Sequence, residues 1–430
     1  MDALAYTLGA FALILVLARL KVPLAAAIFA GAIGLGVLFG LGPAQVALAV
    51  AKGILQGRTL GLMAITVALL ALSGTMQAAG QMAEIVLLAK ALFRRPAVTM
   101  AALPALIGLL PMPGGALFSA PMVESAAAGA NISGGLLSAI NYWFRHIWEH
   151  WWPLYPGVIL AVALTGSDFA TFIAFQLPLG VFMAASGLPL LLRAHGELHP
   201  DTPPPPAGTW GKLLLATAPI WIIIVAWLAV AGLMKLLPDR PVPASMQGLL
   251  EFAPISVGLV ASLVWTTRHS GLKRAAIRHV WINRNICAMV ALVAGVMVFQ
   301  YVIQHVGATV KIGEELTELH VPVAAVVVIL PLIAGMVTGL AVGFVGTSFP
   351  IVLGLVGAMP EAASIRPYLV LAYAFGHLGQ MISPLHLCHV VSNRYFRTGF
   401  APVYRQIWLP ALLTAVLAAG YFVLLKALMG

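Results

Sequence analysis

Arg145 and Glu149 stand four residues apart in an otherwise apolar stretch, Asn141-Tyr-Trp-Phe-Arg-His-Ile-Trp-Glu149. An arginine inside a membrane helix costs at least about 2.5 kcal/mol on insertion scales, so it is normally paired or functional. Two readings stand. Glu149, on the same helical face, neutralises Arg145 as a structural ion pair, or the guanidinium grips a carboxylate or other oxyanion through two parallel hydrogen bonds. His146 adds a side chain that titrates near neutral pH. Glu149 and Glu124 join it as candidate proton carriers, because carboxylates in apolar sites exchange protons closer to neutrality than in water. Glu124 also reads as a solvated residue at the membrane surface.

The same passage recurs 231 residues later: Tyr142-Trp-Phe144-Arg-His146 with Pro153-Leu154 becomes Tyr373-Ala-Phe375-Gly-His377 with Pro384-Leu385. Gly376 replaces Arg145 and Gln380 replaces Glu149, so the charged pair departs from the repetition. His377 is thus a further candidate for coupling, its alternative role being to orient the break. Each passage reads as a membrane helix broken near its middle by proline, over 135–165 and 365–393. Gln77 and Gln81 pair with Gln300 and Gln304 on this reading, and Pro104 with Pro331. Interrupted segments in corresponding halves point to a binding site of a secondary transporter.

Ahead of each broken helix lies an apolar stretch folded back at glycine, expected as re-entrant hairpins at 97–128 and 321–360. Their tips are placed at Pro111-Met-Pro-Gly-Gly115 and Gly343-Phe-Val-Gly346. Helix starts expose backbone N–H groups that favour anions, and glycine lets a ligand approach closely. Gly114, Gly115, Gly346, Thr347 and Ser348 are therefore candidate substrate contacts, with Ser119, Asn141 and Ser383 adding side-chain hydrogen bonds. Unwound carbonyls with Ser383, Thr347 or Asn141 form the alternative, a sodium site.

These residues sit in a chain that is 61% apolar and 8% charged, with a mean hydropathy of +1.01. Soluble domains carry about 25% charged residues, so an all-α polytopic membrane protein is expected. The net charge of +10 forms no arm or stripe, which argues against nucleic acid. Spans of about 20 residues are read near 3–18, 22–40, 59–80, 169–192, 210–236, 251–267, 285–306 and 402–428. With the two broken helices these make about ten, beside the two hairpins. Five spans and one hairpin per half make the repeats inverted: residues 1–196 and 208–430, joined by a Pro-rich linker at 197–207. Most Lys and Arg fall on the cytoplasmic side when both termini lie outside the inner membrane. No cleavable signal is read at the N-terminus. Cys287 and Cys388 lie in expected spans, so no disulfide framework is expected.

His386-Leu-Cys-His389 brings three possible metal ligands together. With no His-Glu-x-x-His motif and no Gly-x-Ser-x-Gly elbow, these histidines are read as hydrogen-bonding to helix ends. No metal, cofactor or enzymatic activity is expected. The cluster Trp143, Trp148, Trp151, Trp152 and Tyr155 is read as packing between helices rather than as a sugar platform.

The motifs Pro111-Met-Pro-Gly-Gly-Ala-Leu-Phe-Ser-Ala-Pro121, Asn141 to Glu149 and Ser383-Pro-Leu-His-Leu-Cys-His389 resemble the membrane family called domain of unknown function 401. That family is grouped with the ion transporter superfamily of gluconate, citrate and dicarboxylate carriers. The resemblance implies inverted repeats, hairpins entering from opposite sides, and a homodimer with an elevator-like transport domain. Its Ser-Asn-Thr hairpin signature for sodium-coupled dicarboxylate carriers is missing here. The expectation is a carrier of a small organic anion, coupled to protons; the alternatives are a sodium-coupled anion carrier, then an ion channel or an intramembrane metalloenzyme.

Overall fold

The computed structural model describes residues 2–93, 95–111, 115–195, 206–236, 250, 252–318, 322–357 and 364–429. Among them all regular structure is helical. The first eleven helices are α1 (Asp2–Arg19), α2 (Leu24–Leu38), α3 (Pro43–Leu55), α4 (Gly57–Ala78), α5 (Gln81–Leu92), α6 (Pro96–Gly108), α7 (Ala116–Ala126), α8 (Gly134–Arg145), α9 (Pro156–Thr165), α10 (Phe169–Ser186) and α11 (Leu188–His195). After the linker region come α12 (Thr209–Ala216), α13 (Ala218–Leu236), α14 (Ala253–His269), α15 (Arg274–Trp281), α16 (Arg284–His305), α17 (Ala308–Glu318), α18 (Val323–Thr338), α19 (Ala341–Gly357), α20 (Arg366–Met381), α21 (Leu387–Tyr395) and α22 (Phe400–Met429). Gly114 and residues 197–205 of the expected linker lie outside the described residues.

Among the described residues, five helices are long and apolar enough to cross a membrane, six if the bent pair α12–α13 counts as one span. Leucines and valines along α1, α13 and α22 face outward, among them Val16, Leu228 and Leu424. Such surfaces need lipid, and the chain is a multi-pass membrane protein. The expected span at 22–40 shortens to a helix of 15 residues, and that at 251–267 shifts to Ala253–His269. Amphipathic α3, α5, α15 and α17 fill stretches that hydropathy alone leaves unread. α4 and α16 each have 22 residues and start 227 positions apart, so Gln77 and Gln304 hold the same position in their helices.

Helix ends follow local chemistry. Asp168 caps α10 by accepting from the Thr171 N–H at 2.9 Å, and Asn283 caps α16 from Ile286 at 3.0 Å. Pro156 opens α9, where its missing N–H costs nothing. Pro384 stands between α20 and α21.

α18 packs along α20, and α6 along α8. Both pairs approach closely because a glycine faces a backbone carbonyl. A Cβ at Gly108 would strike the Arg145 carbonyl, and one at Gly335 would strike that of Gly376. The largest apolar core gathers Leu72, Phe299, Phe344, Phe349 and Tyr373, while Tyr142, Trp143 and Met381 belong to a second.

Candidate functional site

The segments 146–155 and 382–386 interrupt two helical runs, α8–α9 and α20–α21; the first is buried or half-buried throughout, and the second buries Ser383 and His386 while Pro384 and Leu385 are exposed. Interrupted backbone at membrane depth must find partners within the protein. The first break supplies partners for its neighbour: Trp148 Nε1 donates to the Ala105 carbonyl at 2.7 Å and Trp152 Nε1 to Leu109 at 2.9 Å. Tyr155 donates to the Gly108 carbonyl. Three side chains of the break thus satisfy the carbonyls at the end of α6, which the helix itself leaves open. Across the molecule, Ser383 does the same for α18 by donating to the Met336 carbonyl at 2.7 Å.

The two breaks also hold each other. Tyr373 donates to the Glu149 carbonyl at 2.9 Å, and Tyr142 donates to the Met381 carbonyl at 3.0 Å. Gln380 Nε2 donates to Glu149 Oε2 at 2.7 Å. Around that carboxylate stand His146 Nε2, 3.7 Å from Oε1, and His377 Nε2, 3.6 Å from Oε2. His146 Nδ1 lies 2.6 Å from the Tyr142 carbonyl and so carries a proton, which leaves Nε2 turned to Glu149 when the ring is neutral. The His150 and His377 rings are 4.1 Å apart, and those of His146 and His386 are 4.7 Å apart. His386, His146, Glu149, His377 and His150 therefore form a continuous buried row of titratable groups.

A cavity of about 160 Å³ opens beside this row. Arg145, Glu149, Tyr155, Gln380, His386 and Cys388 supply its polar wall. Arg145, only 3% exposed, sits at the last turn of α8, where the helix dipole favours a cation. The helix ends at Arg145, so the i, i+4 geometry expected for Arg145 and Glu149 is not helical here; Glu149 lies in the break. His146, His386 and Cys388 place one ligand atom each within 4.8 Å of one another. That trio could hold a soft cation, although the Arg145 guanidinium on the same wall opposes extra positive charge.

Of the residues singled out in the sequence, Arg145, His146, Glu149 and His377 come together here. Asn141 lies one turn before Arg145, its Nδ2 donating to the Ala116 carbonyl at 3.1 Å and to Ser392 Oγ at 2.8 Å. Gly115 precedes α7, and Ser119 is buried within that helix with its hydroxyl near the Ala116 carbonyl. Gly346, Thr347 and Ser348 do not form the second hairpin tip. The turn lies at Gly339, whose φ of +64° suits glycine, and α19 is already helical through 346–348. Gly346 packs on Val296, while Thr347 and Ser348 donate to their own helix at Gly343 and Phe344. Small residues there serve helix packing. Glu124 is exposed and accepts a 2.6 Å bond from Tyr395, away from the cavity. His150 entered no sequence argument; its spacing from His146, one turn on, was the available signal.

The fold is similar to the crystal structure of the Alcanivorax borkumensis YdaH transporter, described as having an unusual topology. The TM-score is 0.58 at 16% sequence identity, over 90% of this chain and 89% of the other. No curated protein matches in sequence. Residues 3–198 and 225–425 match one family model, which together span nearly the whole chain, and the protein belongs to the family described as protein of unknown function (DUF401).

Proposed function

We propose that the protein is a secondary transporter that carries a small organic anion across the inner membrane, with proton coupling at Glu149. The observation that carries this reading is the cavity between the two breaks, with Arg145 and Glu149 on one wall. A permanent cation buried at membrane depth marks a ligand or ion pathway, and a carboxylate flanked by His146 and His377 can exchange a proton as that ligand arrives. The similarity in fold to a protein described as a transporter supports the class.

Two inverted repeats, residues 1–196 and 208–430, organise the carrier on this reading. The support is positional: α4, α5 and the start of α6 recur as α16, α17 and the start of α18 at one offset of 227. The hairpins α6–α7 and α18–α19, the broken helices and the last long helix of each half then move as an elevator against the remaining helices. Both termini face outward, and two copies associate through the static part.

The test measures thermal stability of the purified protein against carboxylates, sugar acids, sulfonates and inorganic oxyanions, in sodium or potassium, at pH 5.5 and 7.5. A ligand at about 100 times its dissociation constant adds about 2.7 kcal/mol. Stabilisation by an anion without sodium, lost in Arg145→Ala, is expected. A sodium requirement would replace the proton as coupling ion. Absence of any anion effect on folded protein would overturn the reading.

A further inference from the structure

Resting on the anion-carrier reading, we infer that the cargo is a singly charged anion of about six to eight non-hydrogen atoms with an apolar tail, of the short-chain monocarboxylate class. Three observations on the cavity converge on this.

The first is size. An engineered cavity of about 150 Å³ accommodates benzene, with six carbon atoms, and this one measures about 160 Å³. Citrate and sugar acids, with about twice as many atoms, would project through its open side. The second is charge. Among the described residues of the lining, Arg145 alone carries a permanent positive charge, and Glu149 opposes a second negative group. One carboxylate can take both oxygens to one guanidinium.

The third is the division of the lining by element. Every hydrogen-bonding side chain comes from the broken helices: Arg145, Glu149, Tyr155, Gln380 and His386. The apolar part of the lining includes Leu70 on α4, Met289 on α16, Val342 at the start of α19 and Leu340 at the hairpin turn. A second carboxylate, or a row of sugar hydroxyls, directed at those side chains would lose its water and meet no partner, which disfavours binding in hydrocarbon surroundings. An alkyl tail gains there instead. The ligand lies with its carboxylate at the breaks and its tail toward the α4 and α16 helices.

The experiment is a binding series on the purified full-length protein at pH 5.5 and 7.5, by thermal shift and by calorimetry. Probes are acetate, propionate, butyrate, valerate, hexanoate and octanoate, set against succinate, glutarate, citrate and gluconate. Affinity is expected to rise about fourfold per methylene up to valerate or hexanoate, then to fall at octanoate. Glutarate should bind at least about tenfold more weakly than valerate, its match in chain length. Leu70→Ala, which lengthens the apolar end, should shift the optimum by one or two carbons. Tighter binding of a dicarboxylate, citrate or gluconate would overturn the substrate class and leave the anion carrier standing. A flat monocarboxylate series would also overturn it. No binding by any of the ten carboxylates would overturn the substrate class, and with no stabilisation by sulfonates or inorganic oxyanions either, the anion-carrier reading falls with it.

Discussion

Glu149 and Gln380, separated by the same 231 positions as the two copies of the repeated passage, hydrogen-bond directly to each other at 2.7 Å. Tyr142 and Tyr373, also equivalent, flank this contact and each reaches the backbone of the opposite break. This contact therefore joins the two passages at a position where one carries a carboxylate and the other an amide.

Glu149→Gln tests that position. The amide keeps the shape and can still pair with Gln380, so the fold should be retained within about 1 kcal/mol. The negative charge facing His146 and His377 is lost. In proteoliposomes the variant should exchange substrate between the two sides but no longer accumulate it against a gradient driven by pH. Accumulation at the wild-type rate and pH dependence would remove Glu149 from coupling.

Gly108 and Gly335 provide a test of packing. A methyl group at either position meets a carbonyl that belongs to rigid backbone, Arg145 or Gly376. Gly108→Ala and Gly335→Ala should each destabilise the protein by about 1–3 kcal/mol, the usual cost of overpacking, seen as a lower melting temperature in detergent. Gly211→Ala has open space around it and should not fall with them. Equal melting temperatures for all three would contradict the close approach of α6 to α8 and of α18 to α20.

Much of the helical plan was legible because apolar runs and prolines have direct consequences in a membrane. The breaks fall at 146–155 and 382–386, beside Pro153, Pro156 and Pro384. The second turn was misplaced because glycine has two uses there. Gly343 and Gly346 read as a tip, but their missing side chains make room for Thr338 and Val296, and Gly339 makes the turn. The row from His386 to His150 was not legible as a unit. It joins residues on both broken helices, and only their crossing brings His146 against His386 and His150 against His377.

Tyr373→Phe isolates one of the bonds between the breaks. Its hydroxyl is the donor to the Glu149 carbonyl at 2.9 Å, and the ring is fully buried among Phe344, Phe349 and Phe172. Phenylalanine keeps that packing and leaves a buried carbonyl short of a partner, at a cost of about 1–3 kcal/mol. Chemical unfolding in mild detergent should show this loss with an unchanged slope. A neutral substitution would mean that the hydroxyl does not hold the first break.

Glu315 gives a prediction in pH at the far side of the molecule. Its carboxylate accepts from the Ala3 and Leu4 N–H groups at 3.0 and 2.8 Å, so a residue of α17 caps the start of α1. Slight desolvation works against the charge, but the bonds from Leu4 and Ala3 outweigh it and hold the carboxyl below its usual range. A lowered folded-state value means the stabilisation is present above the unfolded value, about 4.3, and is lost as pH falls through the folded one. Glu315→Gln should therefore cost about 1 kcal/mol at pH 7, the typical worth of a helix cap. The difference from wild type should shrink toward zero as pH falls below 4. Melting temperatures of both proteins from pH 7 to pH 3 check this. A gap that stays constant or widens with acid would show that the cap does not depend on the carboxylate charge.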